Sequence, residues 1–184
     1  MNRRVIAGLF IIAIIGLFAF RSISNRFVTK RSFTAGPTGS VYIIVDKSDY
    51  ELQVYDDEGW YATYPVVFGS RSLDDKMIEG DRRTPEGTFH ILDKRPHSKW
   101  HKIMMIDYPN KESWDKFNRR KAQGVISKNA RIGGGIGIHG TWPNDNIVVD
   151  DYTNWTQGCV SLRNEDIDEI FSFIVPGTRV MIRK

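Results

Sequence analysis

Val41-Tyr42-Ile43-Ile44-Val45, Asp46-Lys47-Ser48-Asp49 and Glu51-Leu52-Gln53-Val54-Tyr55 follow one another directly. The first segment is β-branched and apolar, the second is turn-forming, and the third alternates polar with apolar as a half-buried strand does. Asp56-Asp57-Glu58-Gly59 supplies another turn, and Trp60 to Phe68 a third strand. Three short strands joined by tight turns predict an antiparallel meander.

Working outward, Thr84-Pro85-Glu86 leads into a further strand, Gly87-Thr88-Phe89-His90-Ile91-Leu92. Arg95 to Arg131 is less regular and holds a charged surface helix, Lys111 to Ala122. Gly133 to Ile138 alternates Gly with Ile and ends at His139. After Cys159, Val160 and Leu162 alternate again, and Asn164 is placed to cap a helix. Ile167, Ile170, Phe171 and Ile174 form that helix's apolar stripe, Glu165 and Asp166 favour its first turn, and Pro176-Gly177 stops it. Thr178 to Arg183 closes the domain as a strand. The expected fold is mainly β, a sandwich or partial barrel with one or two α-helices.

Upstream, Arg3 and Arg4 precede Val5 to Phe20, sixteen residues without a charge. As a helix this run would rise about 24 Å, and flanking arginines would snorkel to span the bilayer. Small residues at the cleavage positions of a signal peptide are lacking around Ala19-Phe20-Arg21, so an uncleaved transmembrane anchor is expected. The division is residues 1–24 as membrane anchor or signal segment, 25–40 as linker and 41–184 as a single folded domain. The net charge of +4 is concentrated around the apolar run. No basic face with interleaved aromatics points to nucleic acid.

The chain has 1 cysteine, which excludes an internal disulfide and a multi-cysteine metal site. His97 and His101 have a metal-like spacing, but Pro96 and the basic neighbours indicate a loop, and neither a metal nor another cofactor is expected. Gly133 to Gly137 lacks the Gly-Lys-Ser/Thr that a phosphate loop requires. Trp142, Tyr152 and Trp155 read equally as core or as cleft wall.

His139-Gly140-Thr141 is followed, after an intervening sixteen residues counted from His139, by Thr156-Gln157-Gly158-Cys159. An imidazole beside a thiol makes a nucleophile. Gly158 permits a tight turn, and the Gly158 and Cys159 amides are candidate oxyanion donors.

These segments resemble the signature of the YkuD-type L,D-transpeptidases: a histidine, a comparable gap, then Ser/Thr-His-Gly-Cys and a hydrophobic residue. Thr84-Pro85-Glu86-Gly87-Thr88-Phe89 is similar to the family's Thr-Pro-x-Gly-x-Phe, and Tyr64 to Gly69 to the strand before it. Asn164 to Ile167 and Val175 to Val180 resemble its closing helix and strand. The resemblance implies Cys159 as nucleophile and His139 as base, with a backbone carbonyl orienting the imidazole. Gly158 and Gly140 are the backbone candidates of the site, and Thr156, Gln157, Ser161 and Arg163 the substrate-binding candidates. Gln157 replaces the family's second histidine, and Ser161 its Asn or Arg. Strand alternation would put Arg163 on the face of Ser161 and Cys159, as a substitute.

The implied substrates are peptidoglycan stem peptides, with a second stem or an envelope protein supplying an amine acceptor. The implied location is the bacterial envelope, anchored in the membrane with the domain on the extracytoplasmic side. The alternatives are a hydrolase on the same fold and a non-catalytic peptidoglycan-binding protein.

Overall fold

A computed structural model describes residues 27–143 and 145–184. The segment expected to anchor the chain lies outside the described residues. Within them, no helix is long and apolar enough to cross a membrane.

The meander forms as its pattern dictates. Strands β2 (Tyr42–Asp46), β3 (Glu51–Asp56) and β4 (Gly59–Pro65) pair antiparallel in sequence order. Ile43, Val45, Leu52 and Val54 alternate onto one face and are fully buried, each burial worth roughly 1.5–3 kcal/mol. The segment read as a linker contributes β1 (Thr29–Lys30), which pairs with β4. Next to it, Arg31 grips Asp56 through both guanidinium nitrogens, at 3.0 and 2.7 Å. That grip holds the Asp56 carboxyl at about 2.

Strand β9 (Arg179–Arg183) enters parallel to β2 on one side and antiparallel to β5 (Gly87–His97) on the other. β5 runs through both halves of the fold: Gly87 to His90 pair with β9, whereas Ile91 to His97 pair with β6 (His101–Ile106). The register shifts at exposed Leu92, the extra residue of a bulge that bends the strand from one half into the other. β7 (Gly137–His139) and β8 (Val160–Ser161) complete the order β1-β4-β3-β2-β9-β5-β6-β7-β8. A bridge from Ser161 to Val67, just beyond β4, turns the last strand back toward the first half. The fold is mainly β with few helices, and its sheet curls toward closure.

Helix α1 (Lys111–Ala122) matches the expected surface helix, with the Asn110 side chain capping it and Phe117 its buried anchor. A short α2 (Ile147–Asp150) precedes the cysteine segment. Helix α3 (Asn164–Phe173) buries Ile167 and Ile170, and Ile174 just past its end, as their spacing requires.

Three expectations are corrected. Arg95, Pro96 and His97 are not in a loop: β5 continues through them and a hairpin returns at His101. The β-ladder outweighs the turn signal of Pro96. Asn164 does not cap α3. It is the first helical residue and its side chain is spent on the loop after His139, leaving Arg163 at the cap position. The Gly/Ile strand is shorter than its pattern, covering Gly137 to His139 alone.

Candidate active site

His139 ends β7 and is 1% exposed. Its Nδ1–H donates to the Gly140 carbonyl at 2.7 Å, which leaves Nε2 as the unprotonated nitrogen of the neutral ring. The orienting carbonyl anticipated from the family resemblance is therefore that of the adjacent residue. Gly140 O also accepts from Ser161 Oγ at 3.3 Å, and the Gly140 amide donates to Lys102 O. A Cβ at Gly140 would lie 2.4 Å from Asn164 Oδ1, so only glycine lets α3 approach this closely. From there Asn164 accepts from the Thr141 amide and donates to Trp142 O, both at 3.0 Å.

Trp100, from the β5–β6 turn, stacks on the imidazole with centroids 4.7 Å apart. Trp155 meets it edge-on at 5.5 Å. His97 stacks on the far side of Trp100 at 4.4 Å, and its Nδ1 accepts from the Lys99 and Trp100 amides, so the turn is held from within. Burial among these rings pushes His139 down to about 4.

The cysteine segment is built around Thr156, whose Oγ1 donates to Cys159 O at 2.8 Å and accepts from the Gly158 amide at 3.2 Å. Gly158 has φ 124°, and a Cβ there would lie 2.7 Å from Arg83 O. Cys159 is 8% exposed, and its thiol donates to Gly135 O at 3.6 Å instead of to His139. Burial raises the thiol above its ordinary range, and a hydrogen bond from the Gly137 amide only partly offsets this. Thiol and imidazole are thus both neutral near pH 7.

Both groups line one cleft of about 380 Å³, together with Lys99, Trp100, Trp142, Trp155 and Gln157. Trp142 and Trp155 lie 4.0 Å apart and form an aromatic wall. Of the residues singled out in the sequence, His139, Thr156, Gln157 and Cys159 come together here. The others do not. The Gly158 amide is occupied by Thr156, not open to a ligand. Gly140 supplies a carbonyl to His139, with its amide bonded to Lys102. Ser161 is fully buried beneath Gly140 and has no surface for substrate. Arg163 pairs with Asp150 at 2.6 Å and Asp166 at 3.7 Å, away from the cleft lining. Alternation ends with the two residues of β8, so it could not carry Arg163 onto the face of Cys159. Trp100 and Lys99 were missed, because only the hairpin hidden under Pro96 brings them to His139.

Residues 40–182 match the family model of YkuD, the L,D-transpeptidase catalytic domain. The chain is 29% identical over 148 residues to YqjB of Bacillus subtilis, a candidate L,D-transpeptidase, covering 78% of this chain and 72% of that one. It is 26% identical over 140 residues to YafK of Escherichia coli, named likewise, covering 73% and 47%. The helical cell shape determining protein Pgp2 of Campylobacter jejuni superposes with a TM-score of 0.57 at 26% identity, covering 79% of this chain and 48% of that protein. An Enterococcus faecium L,D-transpeptidase, at 18% identity and a TM-score of 0.50, covers 78% and 50% and shares the fold. The chain spans about half the length of YafK and Pgp2. The match over residues 40–182, with the fold these proteins share, makes this chain a member of the YkuD family of L,D-transpeptidase catalytic domains.

Proposed function

We propose that this chain is a cysteine-dependent L,D-transpeptidase acting on peptidoglycan tetrapeptide stems. The observation that carries the reading is the single cleft shared by Cys159 and a His139 whose Nδ1 is locked onto Gly140 O. Locking Nδ1 leaves Nε2 as the basic nitrogen, the form a general base requires. As substrate docks, Nε2 takes the thiol proton and sulfur attacks the carbonyl on the L-centre of the diamino acid. The bond to the terminal D-alanine breaks, and the imidazolium returns its proton to the leaving amine. An acceptor amine then attacks the thioester, forming an amide and regenerating the thiol. With the Gly158 amide committed to Thr156, the Cys159 amide is the oxyanion donor of the segment. The acceptor is a second stem peptide or an envelope protein.

Hydrolysis by the same machinery has one observation in its favour. Ser161 occupies the position of a family Asn or Arg and is buried, so no side chain from that position reaches the cleft to hold an acceptor. Incubating the protein with a disaccharide-tetrapeptide, with Cys159→Ala as control, tests both readings by mass spectrometry. Cys159-dependent loss of D-alanine supports the acyl-enzyme route, a dimer indicating transfer and a tripeptide hydrolysis. Retention of D-alanine by a folded protein would leave a binding role.

The proposed setting is the bacterial envelope, with residues 1–24 as tether and the domain outside the cytoplasmic membrane. Protease accessibility in intact spheroplasts checks this, since an external domain is digested without lysis.

A further inference from the structure

The thiol cleft is not the roomiest cavity of the molecule. A second one, of about 590 Å³, is lined by Arg71, Arg82, Asp151 and their neighbours and shares no lining residue with the first. The segment from Thr156 to Cys159 lines only the first and is tied to the second by one hydrogen bond. It offers Thr156, Gln157 and Cys159 to the thiol cleft, while the Thr156 carbonyl accepts from Arg82 Nε at 3.3 Å on the other side.

Three observations mark this cavity as a built site. First, non-glycine residues with positive φ among the described residues are Tyr50, Arg82, His101 and Tyr152, and all but His101 line it. Bulky side chains avoid this region of backbone space, and strain held there gathers at ligand sites. Second, Asn154 braces the floor: its amide nitrogen donates to Tyr50 Oη at 3.0 Å and to Ser70 O at 2.9 Å, and its oxygen accepts from the Phe68 amide at 2.7 Å. Third, neither Arg71 nor Arg82 has an ion pair among the described residues, although other arginines of the domain, such as Arg31, Arg120 and Arg163, do. Arg82 is fixed through Nε, which leaves its terminal nitrogens for a ligand. Two guanidinium groups against one carboxylate, Asp151, give the cavity a positive balance suited to a carboxylate.

We infer that this cavity is a subsite for a stem-peptide carboxylate, held by Arg71 and Arg82 one loop away from the nucleophile. The identity of the ligand rests on the transpeptidase reading; its carboxylate chemistry rests on the cavity alone. Through Arg82 and the Thr156 carbonyl, its occupancy bears on the segment that carries Cys159.

The test uses the full chain with Cys159→Ala and a stem tripeptide ending in the diamino acid, with that residue's carboxyl groups either free or converted to amides. Calorimetry should show the free acid binding about tenfold more tightly than the amide, the range for one charge-assisted hydrogen bond pair. In Arg71→Gln the preference should fall to within about twofold, and Arg71→Lys should recover part of it. An unchanged preference in Arg71→Gln, or none in the parent, overturns the subsite. With Cys159 intact, an Arg71→Gln defect in D-alanine release assigns the carboxylate to the donor stem, and a defect in dimer formation alone assigns it to the acceptor. Should no protein release D-alanine while the calorimetric preference persists, the catalytic reading fails and the carboxylate site stands.

Discussion

Trp100 lies nearly parallel to His139, with centroids 4.7 Å apart and planes inclined by 22°. The indole is held by a turn whose Lys99 and Trp100 amides both donate to His97. It removes one face of the imidazole from water, and that desolvation keeps the ring neutral far into the acid range.

Replacing Trp100 by alanine should therefore let the His139 pKa climb from about 4 toward its ordinary 6.5. Imidazole proton shifts followed by NMR would register a rise of about one unit or more. The acid limb of kcat/KM should move up with it, while Trp100→Phe should keep most of the depression. An unmoved titration would show that Trp100 contributes nothing to the burial of this ring.

Stability should depend on pH through two buried groups that act in opposite directions. The folded pKa of His139 is below its unfolded value, so its contribution is complete above 6.5 and is lost as pH falls toward 4. The shift corresponds to something on the order of 3 kcal/mol. Burial raises the Asp166 carboxyl to about 7 against the opposing pull of Arg163, so its contribution is complete below 3.8 and is lost as pH rises to 7. Denaturant melts should show His139→Gln falling further behind the parent as pH rises from 4 to 7, because the parent gains stability over that range and the variant does not. Asp166→Asn should gain over the parent at pH 8, by roughly 2–4 kcal/mol. A pH-independent difference in either variant would contradict these assignments.

Thr156→Val should weaken the cysteine turn while keeping the shape of the side chain. It leaves the Gly158 amide and Cys159 carbonyl without their shared partner, at a cost of about 1–3 kcal/mol. Thr156→Ser should restore both bonds. Thermal melts together with the rate of thiol alkylation would separate the two variants.

Gly69→Ala should disturb the same segment from beneath. The added methyl would lie 2.4 Å from Arg82 O and 2.6 Å from both Gly158 N and Thr156 O, all backbone atoms. Overpacking of this kind costs about 1–3 kcal/mol. Activity should fall more than stability, because the displaced atoms carry Cys159. Full turnover in a stable Gly69→Ala protein would show the segment to be more yielding than its contacts suggest.

Much of this was legible in the sequence, where local pattern and tertiary demand coincide. The alternation from Val41 to Tyr55 gave the meander because one face of each strand is buried. Lys111 to Ala122 was visible as a helix because charge and helix propensity agree and a single residue, Phe117, anchors it. His139 and Cys159 stood out through their neighbours. What escaped depended on long-range geometry. Pro96 reads locally as a break, yet it sits in a paired strand whose hairpin delivers Trp100. Alternation specified a face for Ser161 but not its depth beneath Gly140. Asn164 resembled a cap because a short polar side chain at a helix start usually serves its own helix, and here it serves the loop after His139.

The parallel pairing of β9 with β2 has a consequence for the order in which the molecule can assemble. Ile43 finds Val180, and Phe89 finds the same residue from the other side. The first half of the sheet and the half bearing His139 and Cys159 are therefore stitched together by β9, the last of the described strands in chain order. Contacts so distant in sequence are slow to form. Until that strand is inserted, β2 and the start of β5 present open edges, so a partly folded chain should be prone to self-association. The cleft that holds His139 and Cys159 would then be completed only once β9 is in place.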